Sequence, residues 1–219
     1  METMRHPAAY LLLAIFLPLA AHAEKARHPA PPQPAETYPM HQTNDHVTIA
    51  AEPGDTKETR PNTRLDYYSH DMLPIRVIVT NDSNNPLTLD DARIHFISAA
   101  NDNIPAATLD DLQRRMFTLK SATGKKIPLP LGIPIPITTG KQNVDKKITQ
   151  DDDDFGFQTT TVQPHTTVAG YLYYDIQGLD RPALAHATLE LRKVRFQGGD
   201  YLESFEIPLH PTEQPTATK

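Results

Sequence analysis

Residues 72–80 read MLPIRVIVT and carry the clearest strand pattern of the chain. Ile75, Val77 and Val79 recur with the period of two that places side chains on one face of an extended backbone. The run ends at residues 81–86 (NDSNNP), where turn-forming residues predominate. This stretch therefore predicts a strand with one buried face, followed by a turn.

Further short segments show the same alternation, and turn signals separate them. We predict strands over residues 46–50, 92–98, 167–175, 187–196 and 201–209, with a hairpin turn at residues 198–200 (GGD). Their inward positions should line a single core, made of Ile75, Val77, Val79, Ile94, Phe96, Leu172, Tyr174, Leu189, Leu191, Phe205 and Ile207. Many short strands with few helices are typical of an all-β antiparallel two-sheet sandwich of immunoglobulin-like type.

Residues 108–117 (TLDDLQRRMF) depart from the strand pattern. Thr108 can cap a helix, with Asp111 at the third helical position. Leu109, Leu112 and Met116 recur at helical spacing. The segment predicts one short helix beside the sandwich.

Two motifs resemble secreted bacterial immunoglobulin-like domains. Residues 162–165 (VQPH) and 170–176 (GYLYYDI) are similar to the "V-x-P-G … G-x-L-x-F-D-V" run before the closing strands of such domains. Residues 78–83 (IVTNDS) are similar to their "V-x-V-T-N-x-S" strand, and His165 stands where they have glycine. The resemblance covers roughly 100 residues, the size of one such domain. It implies a fold and no particular activity, because members are mostly uncharacterised or act as extracellular binding modules.

Residues 1–23 have the pattern of a secretory signal peptide. An apolar run at residues 8–20 (AAYLLLAIFLPLA) precedes Ala21-His22-Ala23, so cleavage is expected between Ala23 and Glu24. The run is shorter than the roughly 20 residues of a membrane span, although an uncleaved N-terminal anchor is the alternative. We expect a periplasmic or secreted protein with no stable membrane span after cleavage.

The remaining boundaries follow from composition. Residues 24–44 are rich in proline and predict an extended, mobile linker. Residues 45–209 form the predicted sandwich, and residues 210–219 a disordered tail. Residues 120–155 are predicted to be a long Pro-rich loop inserted in the sandwich.

An unusual ribbon lies inside the predicted insertion, at residues 127–137 (IPLPLGIPIPI). In an extended chain, alternation places all its aliphatic side chains on one face and the prolines between them. The ribbon either covers an edge of its own sandwich or docks to a partner. Its aliphatic residues are the candidate binding residues: Ile127, Leu129, Leu131, Ile133, Ile135 and Ile137.

Four consecutive carboxylates, Asp151, Asp152, Asp153 and Asp154, form the densest charge cluster. Calcium loops space their ligands so that the side chains converge, whereas a solid run points in several directions. We interpret the run as a solvated acidic loop, with a weak calcium site as the alternative.

Composition narrows the function of these 219 residues. The chain has no cysteine, which excludes thiol nucleophiles and thiolate zinc sites. Its net charge of −6 argues against nucleic acid or an anionic membrane as partner. No catalytic or cofactor motif is present, and we predict no cofactor.

These observations predict an exported, non-enzymatic binding or scaffolding module of the bacterial cell envelope. Its partner should be another envelope or extracellular protein. Two alternatives stay open. A small exported hydrolase would need converging carboxylates with perturbed pKa values or a Ser–His pair. A calcium-dependent adhesin-like domain would need the acidic run to bind metal.

Overall fold

The structure, a computed structural model, describes residues 29–122 and 138–210. Within these ranges the chain is mostly β, with three antiparallel sheets and two helices. The strands are β1 (His41–Asn44), β2 (Val47–Pro53), β3 (Met72–Asn81), β4 (Leu87–Thr88), β5 (Arg93–Ile97), β6 (Asn103–Pro105), β7 (Thr161–Val162), β8 (Thr166–Asp175), β9 (Thr188–Arg192), β10 (Arg195–Phe196) and β11 (Phe205–Pro208). The helices are α1 (Leu109–Ala122) and α2 (Thr138–Phe155), and 3-10 turns lie at Ala35–Thr37 and Tyr68–His70.

Two four-stranded sheets and one small sheet share these strands. Sheet 1 has the order β1-β2-β3-β8, sheet 2 the order β11-β9-β5-β6, and sheet 3 the order β10-β4-β7. Strand β3 pairs along its whole length with β8 and over most of its length with β2. The predicted strand at residues 72–80 is thus confirmed as a central strand of sheet 1.

One core lies between the inward faces of the sheets. All eleven residues predicted to line it belong to it; nine of them are buried, and Ile94 and Leu172 pack against it half-buried. Ile75, Val77 and Val79 contribute from β3. The period-two alternation predicted this core correctly, because the side chains that point inward are the ones whose apolar area is removed from water.

The outer face of sheet 1 is also covered, so every residue of β3 is buried. One cover is a second apolar cluster in which Met72 and Tyr173 of the sheet meet Leu112 of α1 and Ile148 of α2. The other cover is the N-terminal segment, whose Ala35 packs on Ala50 and Ile78.

Helix α1 begins where the sequence predicts. The Thr108 hydroxyl accepts the Asp111 N–H at 3.2 Å, and the Asp111 carboxylate accepts the Thr108 N–H at 3.0 Å. This reciprocal pair satisfies donors that the helix start would leave free. The predicted end at residue 117 is too early, because α1 continues to Ala122.

The prediction of a long loop over residues 120–155 is wrong for its second half, and with it the count of one helix. Residues 138–155 form α2. Val144, Ile148 and Phe155 lie at helical spacing and are buried on sheet 1. Helix α2 has few apolar positions among its lysines and aspartates, so its sequence shows little helical periodicity of apolar residues. The ribbon at residues 127–137, with its six candidate residues, lies outside the described residues.

The prediction of a mobile linker over residues 24–44 is wrong for residues 35–44. Strand β1 covers His41–Asn44, and the Ala35 N–H donates to the Thr80 hydroxyl at 2.8 Å. Arg76 Nη2 donates to the Ala30 carbonyl at 2.6 Å. Proline has no backbone N–H that needs a hydrogen-bond acceptor. The proline-rich part before β1 can therefore lie on the face of the sheet without being paired as a strand. The signal-peptide assignment and residues 211–219 of the tail fall outside the described residues.

Candidate functional site

A cleft of about 580 Å³ opens where β6 of sheet 2 approaches the end of β8 of sheet 1. Helix α1 forms one wall. The apolar lining consists of Met72, Ile104, Pro105, Ala106 and Ala107. The polar lining consists of Asp71, Asp111, Arg114, Arg115, Asp175 and Gln177.

Backbone contacts hold the two sides of the cleft in place. The Ala107 N–H donates to the Tyr173 carbonyl at 2.7 Å and ties the chain after β6 to β8. Helix α1 then begins through the Thr108–Asp111 pair. Hydrogen bonds from Thr108, aided by Arg114, hold the pKa of Asp111 below its usual range. Asp111 is therefore ionised in this wall of the cleft, where it pairs with Arg114.

Arg115 is the centre of an ion network in one wall of the cleft. One nitrogen lies 3.7 Å from Asp71 and 3.5 Å from Asp175, and Nε donates to the His70 carbonyl at 3.2 Å. Arg181 holds Asp71 from the other side at 2.5 Å. These groups are partnered with one another, so they form an ordered charged wall.

Arg114 lies at the mouth of the cleft and is largely exposed. Its guanidinium is 3.3 Å from Asp110 and also contacts Asp111. The cleft thus has an apolar floor, a locked ion network and an exposed cation at its rim.

The run Asp151–Asp154 lies in the last turns of α2, so the acidic-loop interpretation is wrong. Asp151 and Asp154 are three residues apart on the helix, and both accept from Arg64 Nη1, at 3.1 and 2.7 Å. The Arg64 N–H and the Tyr67 hydroxyl also donate to Asp151. We name Arg64, Tyr67, Asp151 and Asp154 the α2 clamp, because they tie α2 to the loop before β3.

The other two carboxylates point elsewhere. Asp152 accepts from the side chain of Gln158 at 2.8 Å, and burial raises its pKa. Asp153 is exposed. In residues 29–122 and 138–210, no group of three or more His, Asp or Glu side chains is placed to hold a metal ion.

One Ser–His contact bears on the hydrolase alternative. Ser69 Oγ and His70 Nδ1 are 2.7 Å apart on an exposed turn, and the Ser69 hydroxyl also donates to the Asp66 carbonyl at 2.9 Å. In the part of the chain that the structure describes, the His70 ring has no second hydrogen-bond partner. A catalytic triad would need such a partner to orient the imidazole.

Comparisons with protein-family models, with curated proteins and with solved structures find no match for this chain. Among the described helices, none is both long enough and apolar enough to cross a membrane.

Sequence reasoning missed the cleft and the α2 clamp for the same reason. Each is assembled from distant segments, so no local motif marks it. The sequence holds one partial signal for the clamp. If residues 151–154 are helical, Asp151 and Asp154 lie on the same face, where a cation from another segment, here Arg64, can contact both. For the cleft, only the start of α1 was readable from the sequence.

Proposed function

We propose that this chain is an exported, non-enzymatic binding or scaffolding module of a bacterial cell envelope, and that the cleft beside α1 receives its protein partner. The secretory pattern of residues 1–23 and the likeness to secreted immunoglobulin-like domains support export. We further propose that sheets 1 and 2 form a sandwich of immunoglobulin-like type, supported by the core they share.

The locked ion network of the cleft is the observation that carries this proposal. Arg115 is only 17 % exposed and already contacts Asp71, Asp175 and the His70 carbonyl, so binding needs to order this side chain little. An apolar floor with a polar rim matches the anatomy of protein interfaces. A cleft whose acids and bases neutralise one another is better suited to recognition than to proton transfer.

A capture experiment with matched charge variants tests the proposal. The chain from Glu24 onward is immobilised and exposed to the envelope fraction, beside Arg114→Glu and Lys146→Glu. Arg114 lines the cleft, whereas Lys146 is exposed on α2. We expect one partner to be retained by wild type and Lys146→Glu and lost by Arg114→Glu. Equal retention by both variants would place the contact elsewhere.

A hydrolase is the second candidate, because Ser69 and His70 are within hydrogen-bond distance. Hydrolysis of a p-nitrophenyl ester by wild type that disappears in Ser69→Ala would favour it over the binding module. A rate equal in the two proteins would leave the Ser69–His70 contact without a catalytic role.

A further inference from the structure

The outer face of sheet 2 carries a second concavity, distinct from the cleft. Its volume is about 370 Å³, and its polar lining consists of Asn101, Asn103, Thr188, Glu190, Arg192 and Glu206. Unlike the outer face of sheet 1, this face presents mostly exposed and half-buried side chains. It is a polar hollow on a rigid sheet.

Strand register orders these groups in rows. Asn103 and Thr188 both pair with Ile97, so the three side chains form one row across β6, β5 and β9. Glu190 pairs with Glu206 in the next row. Neighbouring strands are roughly 4.8 Å apart, so adjacent polar groups are spaced at about that distance.

The turn between β5 and β6 holds Asn101 at the rim of the hollow. Its backbone is left-handed, with φ of 67°. The Asn101 N–H donates to the Ser98 carbonyl at 2.9 Å, and the Ser98 hydroxyl donates to Asp102 at 2.7 Å. The rim is thus fixed by local hydrogen bonds.

Hydrogen-bonding capacity in the hollow is largely unused. Within residues 29–122 and 138–210, the side chains of Asn101, Asn103, Thr188 and Glu206 have no hydrogen-bond partner. Each amide offers two donors and an acceptor, the hydroxyl offers both, and a carboxylate only accepts. Glu190 is nearly buried and is paired with Arg192 at 2.5 Å. The hollow therefore converges several free donors and acceptors around one satisfied ion pair.

We propose that this hollow binds a glycan with uncharged sugar rings. Vicinal hydroxyls donate and accept at once, so they complement planar amides and carboxylates side by side. The half-buried Ile97 supplies an apolar patch for the C–H face of a ring. The inference does not rest on the function proposed for the cleft.

Other ligand classes fit this hollow less well. Arg192 offsets the charge of Glu190, whereas Glu206 has no ion-pair partner among the described residues, so the lining keeps a net negative charge that would repel a phosphate or nucleic acid. A peptide strand adds to the edge of a sheet, whereas the hollow lies on its face. Among the described residues, Ile97 is the only apolar side chain in the lining, which leaves no apolar pocket there for the anchor residues of a peptide. The absence of tryptophan from the chain predicts weak, millimolar binding of a glycan.

Side-chain amide NMR signals test the proposal with cellohexaose and chitotetraose as probes. We expect at least one probe to shift the amide signals of Asn101 and Asn103 and to saturate in the millimolar range. Asn103→Ala combined with Thr188→Ala should weaken that binding about tenfold, since two hydrogen bonds are lost. Gln197→Ala, exposed and outside the hollow, is the control.

Three results would overturn the proposal. One is unmoved Asn101 and Asn103 signals with both probes at about 20 mM, well above a millimolar dissociation constant. Another is equal binding by wild type and the double variant. A third is a response of these signals to an extended peptide and to neither sugar. Should the double variant fail to fold, Glu206→Gln keeps the shape of the site and should weaken binding severalfold.

Discussion

At the scale of single residues, His165 holds a backbone conformation that suits a different side chain. Its φ is 56°, in the left-handed region, and its N–H donates to the Asn81 carbonyl at 2.6 Å. The "V-x-P-G" motif that this segment resembles has glycine here, the residue that enters this region without steric cost. Histidine is tolerated because its ring contacts Asn84 at 3.1 Å on the surface.

His165→Gly should therefore raise the free energy of unfolding by about 0.5–1 kcal/mol, because relief of the left-handed strain exceeds the added chain entropy. Urea denaturation measures the change. Gln163→Gly, two residues away at a position without positive φ, should lower stability. A loss of stability in His165→Gly would show that the Asn84 contact outweighs the strain.

Buried tyrosines make the folded state sensitive to alkali. Burial raises the pKa of Tyr67, Tyr173 and Tyr174 above the usual value of about 10. Their contribution to stability is complete below pH 10, where the unfolded chain keeps its protons too. It is lost as the pH rises above about 10, by roughly 1.4 kcal/mol per pH unit for each tyrosine.

Tyr173→Phe isolates one of these groups. In the described part of the chain the Tyr173 hydroxyl is buried without a hydrogen-bond partner. Its removal should leave stability at pH 7 unchanged or raised, and should make the loss between pH 10 and 11 shallower. Urea melts at pH 7, 10 and 11 measure both effects. An unchanged alkaline slope would mean that Tyr173 ionises normally in the folded protein.

At the scale of elements, the α2 clamp holds a polar helix on a sheet. Asp151 is buried and shares Arg64 with Asp154. Asp151→Asn should cost about 2 kcal/mol of unfolding free energy, because Arg64 keeps Asp154 but the buried hydrogen bonds from Arg64 and Tyr67 lose their charged acceptor. Asp153→Asn is the exposed control and should change little. Chemical denaturation followed by far-UV circular dichroism measures both variants.

The clamp also predicts the response to calcium, because Arg64 already occupies two of the four carboxylates, Asp151 and Asp154. Melting temperatures with calcium and with chelator should agree. A rise of several degrees with calcium, as for a bound ligand far above its dissociation constant, would revive the calcium alternative.

Deletion of residues 128–136 separates the two interpretations of the ribbon. If the ribbon covers an edge of its own sandwich, its deletion should lower the melting temperature strongly. A docking ribbon should leave the melting temperature unchanged while association with the envelope fraction is lost. If neither changes, both interpretations are wrong.

The two helices show what sequence can reveal about elements. The start of α1 was readable because Thr108 and Asp111 form a local motif. Helix α2 was missed because its polar side chains are held by Arg64 from a distant loop, and such tertiary contacts override local composition.

At the scale of the whole molecule, the core between the sheets is built of apolar side chains. Val79 lies in the centre of sheet 1 and is fully buried. Val79→Asp should unfold the chain, because an unpaired buried carboxylate costs several kcal/mol against a total stability of about 5–15. Thr166→Asp, exposed on β8, is the control. A near-UV spectrum and melt like those of wild type would contradict the assigned register of β3.

The strands and the core could be predicted because apolar and polar residues alternate along each strand, and this alternation shows which face of the strand is buried. The covering of sheet 1 by Ala35 and by the helices was not, since it depends on segments far apart in the chain. The same holds for the cleft, which needs β6, β8 and α1 together. The local sequence pattern thus predicts individual strands, whereas the cleft depends on how distant elements pack together.

The pairing of β3 with β8 has a consequence for how the chain folds. The partners Met72 and Asp175 are roughly 100 residues apart, and both helices lie between them. Such a high contact order places folding in the millisecond-to-second range, slower than for helical bundles of similar size. Until β8 has been synthesised, β3 has one edge without a hydrogen-bonded partner. Sheet 1 therefore cannot be completed until most of the chain has been made.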